Sequence, residues 1–138
     1  MKTSIILDTG PLVAFLNRRD KFHNWAMAQW DQIAPPMLTC EAVVSEACFL
    51  LAGTNMGSDS VMQLIQSKII SIAFRLDENI KPVRKMLAKY GSVPMSLADA
   101  CLVRMSELEP NSQVFTLDHD FNLYRKDGRR IIPTIMPK

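Results

Sequence analysis

Residues 4–16 read SIILDTGPLVAFL, twelve uncharged residues around a single carboxylate, Asp8. Ile5, Ile6 and Leu7 form a short apolar run rich in β-branching, the pattern of a buried strand. Thr9, Gly10 and Pro11 break that run, and proline suits the first turn of a helix. Leu12, Val13, Phe15 and Leu16 continue with helical spacing. Asp8 is therefore placed where a core strand hands over to a helix. An ionised carboxylate there costs on the order of several kcal/mol unless it is paired, hydrogen-bonded or bound to a metal.

The remaining chain repeats the alternation. Residues 22–33 space Trp25, Ala26, Ala28, Trp30 and Ile33 as a helix does, and Pro35-Pro36 ends it. A short strand is expected over 37–39 and a helix over 41–53, closed by Gly53. Ser58 or Asp59 can cap a helix through Ser67, and 69–74 reads as an isoleucine-rich strand. Helices are expected over 77–90 and 96–108, a strand over 113–117, and a last strand over 131–135 that Pro133 consigns to a sheet edge. Strands separated by helices of this length make a parallel sheet with helices on its faces. At 138 residues the expectation is one α/β domain, residues 1–138.

Composition removes several classes. Forty-eight per cent apolar and 22% charged residues are ordinary for a globular protein, which disfavours disorder, and a net charge of +2 does not by itself indicate nucleic-acid binding. Cys40, Cys48 and Cys101 are odd in number and form no CxxC pair, so neither a disulfide framework nor a zinc ribbon is expected, and a reducing cytosol fits. The longest uncharged run, residues 47–58, is too short to span a bilayer. A signal peptide is not expected, because Asp8 interrupts the N-terminal apolar run and Arg18 and Arg19 follow it.

Three further acids stand in apolar company. Glu46 is the only charged group in residues 42–58, and positions 42, 43, 46, 49 and 50 share one helix face, so Glu46 is expected to point towards the core or line a cleft. Asp99 is the only charged group in residues 91–103. Asp118 ends the strand VFTL and faces the same way as Asp120 if the chain stays extended. Each has a structural alternative: Asp99 closing a capping box with Ser96, Asp118 capping a turn, Glu46 pairing with a base or reaching solvent, Asp8 forming a turn. In a parallel sheet, however, Asp8 and Asp118 both lie at carboxyl ends of strands, the edge where ligands bind, and a helix start such as that of Asp99 can border it. Converging carboxylates repel unless protonated or joined by a cation, and oxygen ligands without histidine or thiolate favour Mg²⁺ or Mn²⁺ over zinc.

Other uses of Asp8 fit poorly. DTG is the aspartic-protease triplet, but those enzymes are all-β and a helical pattern follows here. A phosphatase forming an aspartyl-phosphate typically needs a second acid two residues on, where this chain has Gly10. A response-regulator receiver needs a lysine after a late strand, where this chain has Asp118.

Taken in order, IILDTGPLVAFLNRRDKFHNWA, VVSEACFLL, MSLADACLV and VFTLDHDF resemble a PIN domain, specifically the toxin ribonuclease of the VapBC toxin–antitoxin type. The resemblance covers nearly the whole chain and maps the four acids of the family onto Asp8, Glu46, Asp99 and Asp118. Thr9 and Thr116 match small hydroxyl positions beside the metal site, and Asp120 matches an additional acid. It implies a three-layer α/β/α sandwich with a central mainly parallel sheet, and Mg²⁺- or Mn²⁺-dependent endoribonuclease activity with one or two ions. It also implies a homodimer held inactive by a cognate antitoxin in the acidic groove. A PIN nuclease with a housekeeping RNA target, or a non-catalytic module whose groove receives a protein partner, are the alternatives.

An acidic centre needs basic surroundings to hold RNA. Arg18, Arg19 and Lys21 follow the first helix, and Arg125, Lys126, Arg129 and Arg130 gather near the last strand. Lying in segments next to Asp8 and Asp118, these two groups are expected to position phosphates, Arg18, Arg19, Arg125 and Lys126 above all. Lys81, Arg84, Lys85 and Lys89 read instead as a solvated helix face. No histidine is required as a base. His119 is expected in a loop near the site, and His23 on a helix facing solvent or a partner.

Overall fold

The computed structural model describes residues 2–138. Five strands, β1 (Ser4–Leu7), β2 (Met37–Thr39), β3 (Ile70–Ile72), β4 (Ser112–Phe115) and β7 (Thr134–Ile135), form one sheet in the order β3-β2-β1-β4-β7. Every pairing in it is parallel. A separate antiparallel hairpin joins β5 (Arg125–Lys126) to β6 (Arg130–Ile131). Among the described residues six α-helices connect the strands: α1 (Thr9–Leu16), α2 (His23–Asp31), α3 (Glu41–Leu51), α4 (Gly57–Gln66), α5 (Ile80–Lys89) and α6 (Leu97–Leu108). The expected mainly parallel sheet flanked by helices is the fold observed.

β1 occupies the middle of the sheet, and Ile5, Ile6 and Leu7 are buried. Consecutive strand side chains point to opposite faces, so both faces of β1 are covered. α1 and α2 pack together through Phe15 and Trp30, whose rings stack at 3.9 Å. Trp25 of α2 meets Phe115 of β4 edge-on at 5.5 Å, which pins the end of β4. The core cluster continues through Val43, Leu51, Val83, Leu102, Phe121 and Tyr124 to Ile132.

Several sequence expectations change in detail. The expected helix over 77–90 is divided: a 3-10 turn at Leu76–Glu78 precedes α5. Asn79 interrupts the two because its side chain donates to Arg75 O at 2.8 Å and accepts from Arg104 Nε at 2.9 Å. The expected last strand also divides. Ile131 pairs in the hairpin, whereas Thr134 and Ile135 join the edge of the main sheet beside β4. The apolar face expected on α3 is rotated. Val43, Ala47 and Leu51, successive i+4 positions, are the buried line, leaving Phe49 79% exposed and Leu50 49% exposed. The neighbours α1 and α4 cover only one side of α3, so its remaining apolar residues reach the surface. Among the described residues no helix is long and apolar enough to cross a membrane.

Candidate active site

Parallel pairing brings the first two acids together. The β1–β4 register aligns Leu7 with Phe115 and continues one residue further, where Asp8 N donates to Phe115 O at 3.0 Å. Asp8 thus lies beside Thr116 at the carboxyl edge of the sheet, as the N-cap of α1. Its Oδ1 accepts from Thr9 N at 2.7 Å and its Oδ2 from the Thr116 hydroxyl at 2.6 Å. The Thr116 oxygen in turn accepts from Asp118 N at 2.9 Å. On the other side of β1, Thr39 Oγ1 donates to Leu7 O at 2.8 Å, fixing the strand end from β2.

Asp99 enters from α6. It closes the capping box with Ser96, Asp99 N donating to Ser96 Oγ at 3.0 Å and Ser96 N to Asp99 Oδ2 at 3.5 Å. The same Oδ2 accepts from Tyr124 Oη at 2.9 Å. Capping and cleft lining are therefore performed by one carboxylate. Asp118 likewise caps a 3-10 turn over His119–Asn122, its Oδ1 accepting from Asp120 N at 2.9 Å. The extended conformation expected through Asp120 is not kept, because β4 ends at Phe115 and the turn follows.

Asp8, Thr9, Glu46, Asp99, Asp118 and Asp120 line one open cleft of about 430 Å³, with Gly10, Leu50, Pro94, Ser96 and Leu117 completing its walls. Glu46 is exposed on α3 and its Oε2 accepts from Thr9 Oγ1 at 3.4 Å, so it borders the cleft and not the core. Gly10 makes a close approach: a Cβ there would stand 3.1 Å from the side chain of Leu117, the residue before Asp118, and that side chain would have to give way. Burial raises the Asp8 carboxyl to about 6; its two hydrogen bonds oppose the shift and the charges of Asp99 and Asp118 add to it. Asp99 is raised too, chiefly by burial, with Tyr124 opposing and Asp118 adding.

These acids form an all-oxygen donor set. Among the described residues no three acidic, histidine or cysteine side chains are gathered tightly enough to chelate one ion as they stand. The donor chemistry nevertheless fits a hard divalent cation. Asp99 Oδ1 and Asp118 Oδ2 carry no hydrogen bond from the described residues, and a cation would offset the burial that chiefly lifts Asp8 and Asp99 and the repulsion that adds to it.

The basic residues are placed differently from expectation. Lys126 is only 7% exposed and its Nζ donates to Pro110 O at 3.3 Å, because the hairpin packs on α6. Its charge is committed inside the protein and not offered to a phosphate. Arg125 Nη1 is bonded to the carbonyls of Asn122, Leu123 and Tyr124, and the residue is absent from the lining of the acidic cleft. Arg18 and Arg19 are exposed in a second cleft with Asn17 and Gly53–Met56, at the end of α1 opposite Asp8. His23 does not face solvent freely: its Nδ1 lies 2.7 Å from Ala14 O and ties α2 to α1. His119 is exposed in the turn after Asp118.

Tyr124 is the site residue that sequence reading missed. It is fully buried, packed edge-on against Phe121 and Tyr90, and delivers its hydroxyl to Asp99. Burial and the Asp99 carboxylate both push the phenol up, so it remains the donor. Its only signal in sequence was an aromatic inside a turn-rich, charged segment.

Comparison with known proteins bears on the fold and the family. No curated protein matches the chain by sequence. Among solved structures, VapC20 of Mycobacterium tuberculosis, described as a toxin that cleaves the sarcin-ricin loop, superposes with a TM-score of 0.79 at 19% identity. The match covers 92% of this chain and 99% of that one, and at that identity it speaks for the fold. The family model of the PIN domain matches residues 5–127, a span holding Asp8, Glu46, Asp99 and Asp118, and the chain belongs to the PIN domain family.

Proposed function

We propose that the chain is a Mg²⁺- or Mn²⁺-dependent endoribonuclease, the toxin of a type II toxin–antitoxin pair. The observation that carries this reading is the convergence of Asp8, Glu46, Asp99, Asp118 and Asp120 on one open cleft at the carboxyl edge of a parallel sheet. Asp8, Asp99 and Asp118 would hold one or two ions, with Glu46 completing the set directly or through water. A bound ion supplies a water of lowered pKa and positive charge opposite the phosphodiester.

The protein's own contribution is rigidity. Thr116 and Thr9 N hold both oxygens of Asp8. Tyr124 and Ser96 N hold Oδ2 of Asp99, leaving Oδ1 open to the cleft. Asp120 N holds one oxygen of Asp118. Carboxylates fixed in this way lose little freedom on meeting a ligand, and such preorganisation is the largest lever a protein has at a charged transition state. The open cleft admits a phosphodiester without a lid.

An antitoxin in the acidic cleft, a second copy of the chain, and a cytosolic location complete the reading. Phe49 and Leu50, exposed on α3 beside Glu46, offer apolar surface for a protein partner next to the acids.

The experiment is RNA cleavage by the isolated chain, freed of any antitoxin by denaturation and refolded, with Mg²⁺, Mn²⁺ or EDTA. Divalent-dependent cleavage that disappears in Asp8→Asn is the expected result. Cleavage that persists in EDTA, or in a correctly folded Asp8→Asn protein, overturns the site. A folded chain without nuclease activity under any metal points instead to a module whose acidic cleft only receives a basic side chain.

A further inference from the structure

The acidic cleft leaves the cationic face of α5 unused. Lys81, Arg84, Lys85 and Lys89 lie along this helix, and residues 80–89 contain no acid. Lys81–Lys85 and Lys85–Lys89 are like charges four residues apart, an arrangement that destabilises a helix. None of the four is in an ion pair among the described residues. A counter-charge from outside would relieve that repulsion.

Lys85 and Lys89 line a cleft of about 270 Å³ together with Arg125 of the hairpin, and Tyr90 forms part of its wall. Two of these three cations are held in place. Lys89 Nζ donates to Gly128 O at 3.0 Å and stands 5.2 Å from the centre of the Tyr90 ring. Arg125 is fixed through its three carbonyl contacts, and its backbone N–H donates to Tyr90 Oη at 2.9 Å. The two acids of the cleft are already engaged. Glu107 accepts from Arg104 Nη1 at 3.1 Å and from Asp127 N at 2.6 Å, and Asp127 lies 3.9 Å from Arg130.

A buried aromatic pair links this cleft to the candidate active site. The Tyr90 and Tyr124 rings meet edge-on at 5.1 Å, and Tyr124 donates to Asp99. One pair of aromatic rings therefore separates the basic cleft from the acidic one, and the loop after α5 carries Pro94 and Ser96 to the acidic rim. An anionic strand is repelled by uncompensated acids, so a strand entering there gains most from cations just beyond the rim. Lysine ammonium groups match phosphate oxygens, and Arg125, whose Nη1 is taken by carbonyls, adds its positive charge beside them.

We propose that Lys85, Lys89 and Arg125 form a subsite for a backbone phosphate of single-stranded RNA, flanking the position of cleavage. The inference rests on the nuclease reading and replaces the solvated-face view of α5.

The test is binding of a fluorescein-labelled single-stranded RNA of about 12 nucleotides, a length a basic groove tracks, to full-length Asp8→Asn protein across a salt series. Lys85→Gln/Lys89→Gln in that background should bind more weakly, with the log–log salt slope reduced by roughly 0.7, the loss of the one phosphate contact. Lys85→Ala, at a side chain with no hydrogen bond or ion pair among the described residues, gives half that change and guards against a folding defect. Lys2→Gln/Lys68→Gln, an equal charge loss at exposed positions before β1 and β3, should leave the slope as it was. An unchanged slope in Lys85→Gln/Lys89→Gln, while the wild-type chain cleaves RNA with Mg²⁺ or Mn²⁺, overturns the subsite alone. A wild-type chain that neither binds nor cleaves RNA overturns the nuclease reading and the subsite with it. Retained RNA slope with lost binding of poly-glutamate assigns the cleft to an acidic protein and also overturns the proposal.

Discussion

The Thr116 hydroxyl donates to Asp8 Oδ2 across 2.6 Å, joining residues 108 positions apart, and its oxygen accepts from Asp118 N. One hydroxyl thus sets both the orientation of the first acid and the start of the turn carrying the last. Thr116→Val keeps the shape but leaves Asp118 N without its partner, at a cost of about 1–3 kcal/mol. It also removes a bond that lowers the Asp8 pKa, so the acid limb of nuclease activity should move to higher pH. Thr116→Ser should restore both. Chemical denaturation and a pH–rate profile of the three proteins check this, and an unmoved acid limb in Thr116→Val rejects it.

Asp8 is expected to destabilise the metal-free fold at neutral pH. Its pKa is raised from 3.8 to about 6, so the folded state binds the proton more tightly than the unfolded state. Stability is then full below the unfolded value, falls as pH rises from about 4 to 6, and levels off above. At 1.36 kcal/mol per unit, the loss is roughly 3 kcal/mol at most. Asp8→Asn should remove this pH dependence and be more stable than wild type at pH about 7.5 in EDTA, with Asn Oδ1 still accepting from Thr9 N. Urea titrations at pH about 4 and about 7.5 decide it; a variant less stable than wild type at neutral pH contradicts the cause assigned.

Divalent cations should reverse that ranking. A ligand that binds only the folded state raises stability by RT ln(1 + [L]/Kd), about 4.1 kcal/mol at a thousandfold excess over Kd, more than the deficit at Asp8. Mg²⁺ or Mn²⁺ should raise the Tm of wild type and leave Asp8→Asn nearly unmoved. Equal shifts in both proteins place the ion elsewhere.

Tyr124→Phe removes the hydroxyl that anchors Asp99 Oδ2 while keeping the ring between Phe121 and Tyr90. Loss of one hydrogen bond to a charged group costs about 1.5–3 kcal/mol where it acts, so kcat should fall roughly 10- to 100-fold. Because that bond lowers the Asp99 pKa, the acid limb should move up in pH. Tyr90→Phe, which breaks only the bond from Arg125 N, serves as the comparison. An unchanged kcat and acid limb in Tyr124→Phe would mean that the ring and not the hydroxyl matters.

Lys126→Glu should act on stability. The side chain is buried and donates to Pro110 O, so reversal places an acid against a carbonyl and costs on the order of 3 kcal/mol. Denaturation midpoints should drop, while the salt slope of RNA binding by the remaining folded protein stays as in wild type. A changed slope with unchanged stability returns Lys126 to the RNA-facing surface.

What the sequence determined by itself was local. The apolar run before Asp8, Thr9-Gly10-Pro11 after it, and the Ser96–Asp99 spacing each specify a strand end or a helix start within a few residues, and β1, α1 and the capping box of α6 follow. The alternation of strands and helices was enough to expect a parallel sheet. Tertiary structure alone decided which residues meet across the chain: Thr116 with Asp8, Tyr124 with Asp99, Lys89 with Gly128. It also decided which side of α3 is covered, exposing Phe49, and that Lys126 turns inward. The division has a physical cause. Backbone preference and capping act over one or two turns, whereas burial and hydrogen-bond partners depend on neighbours that only the packed sheet brings into range.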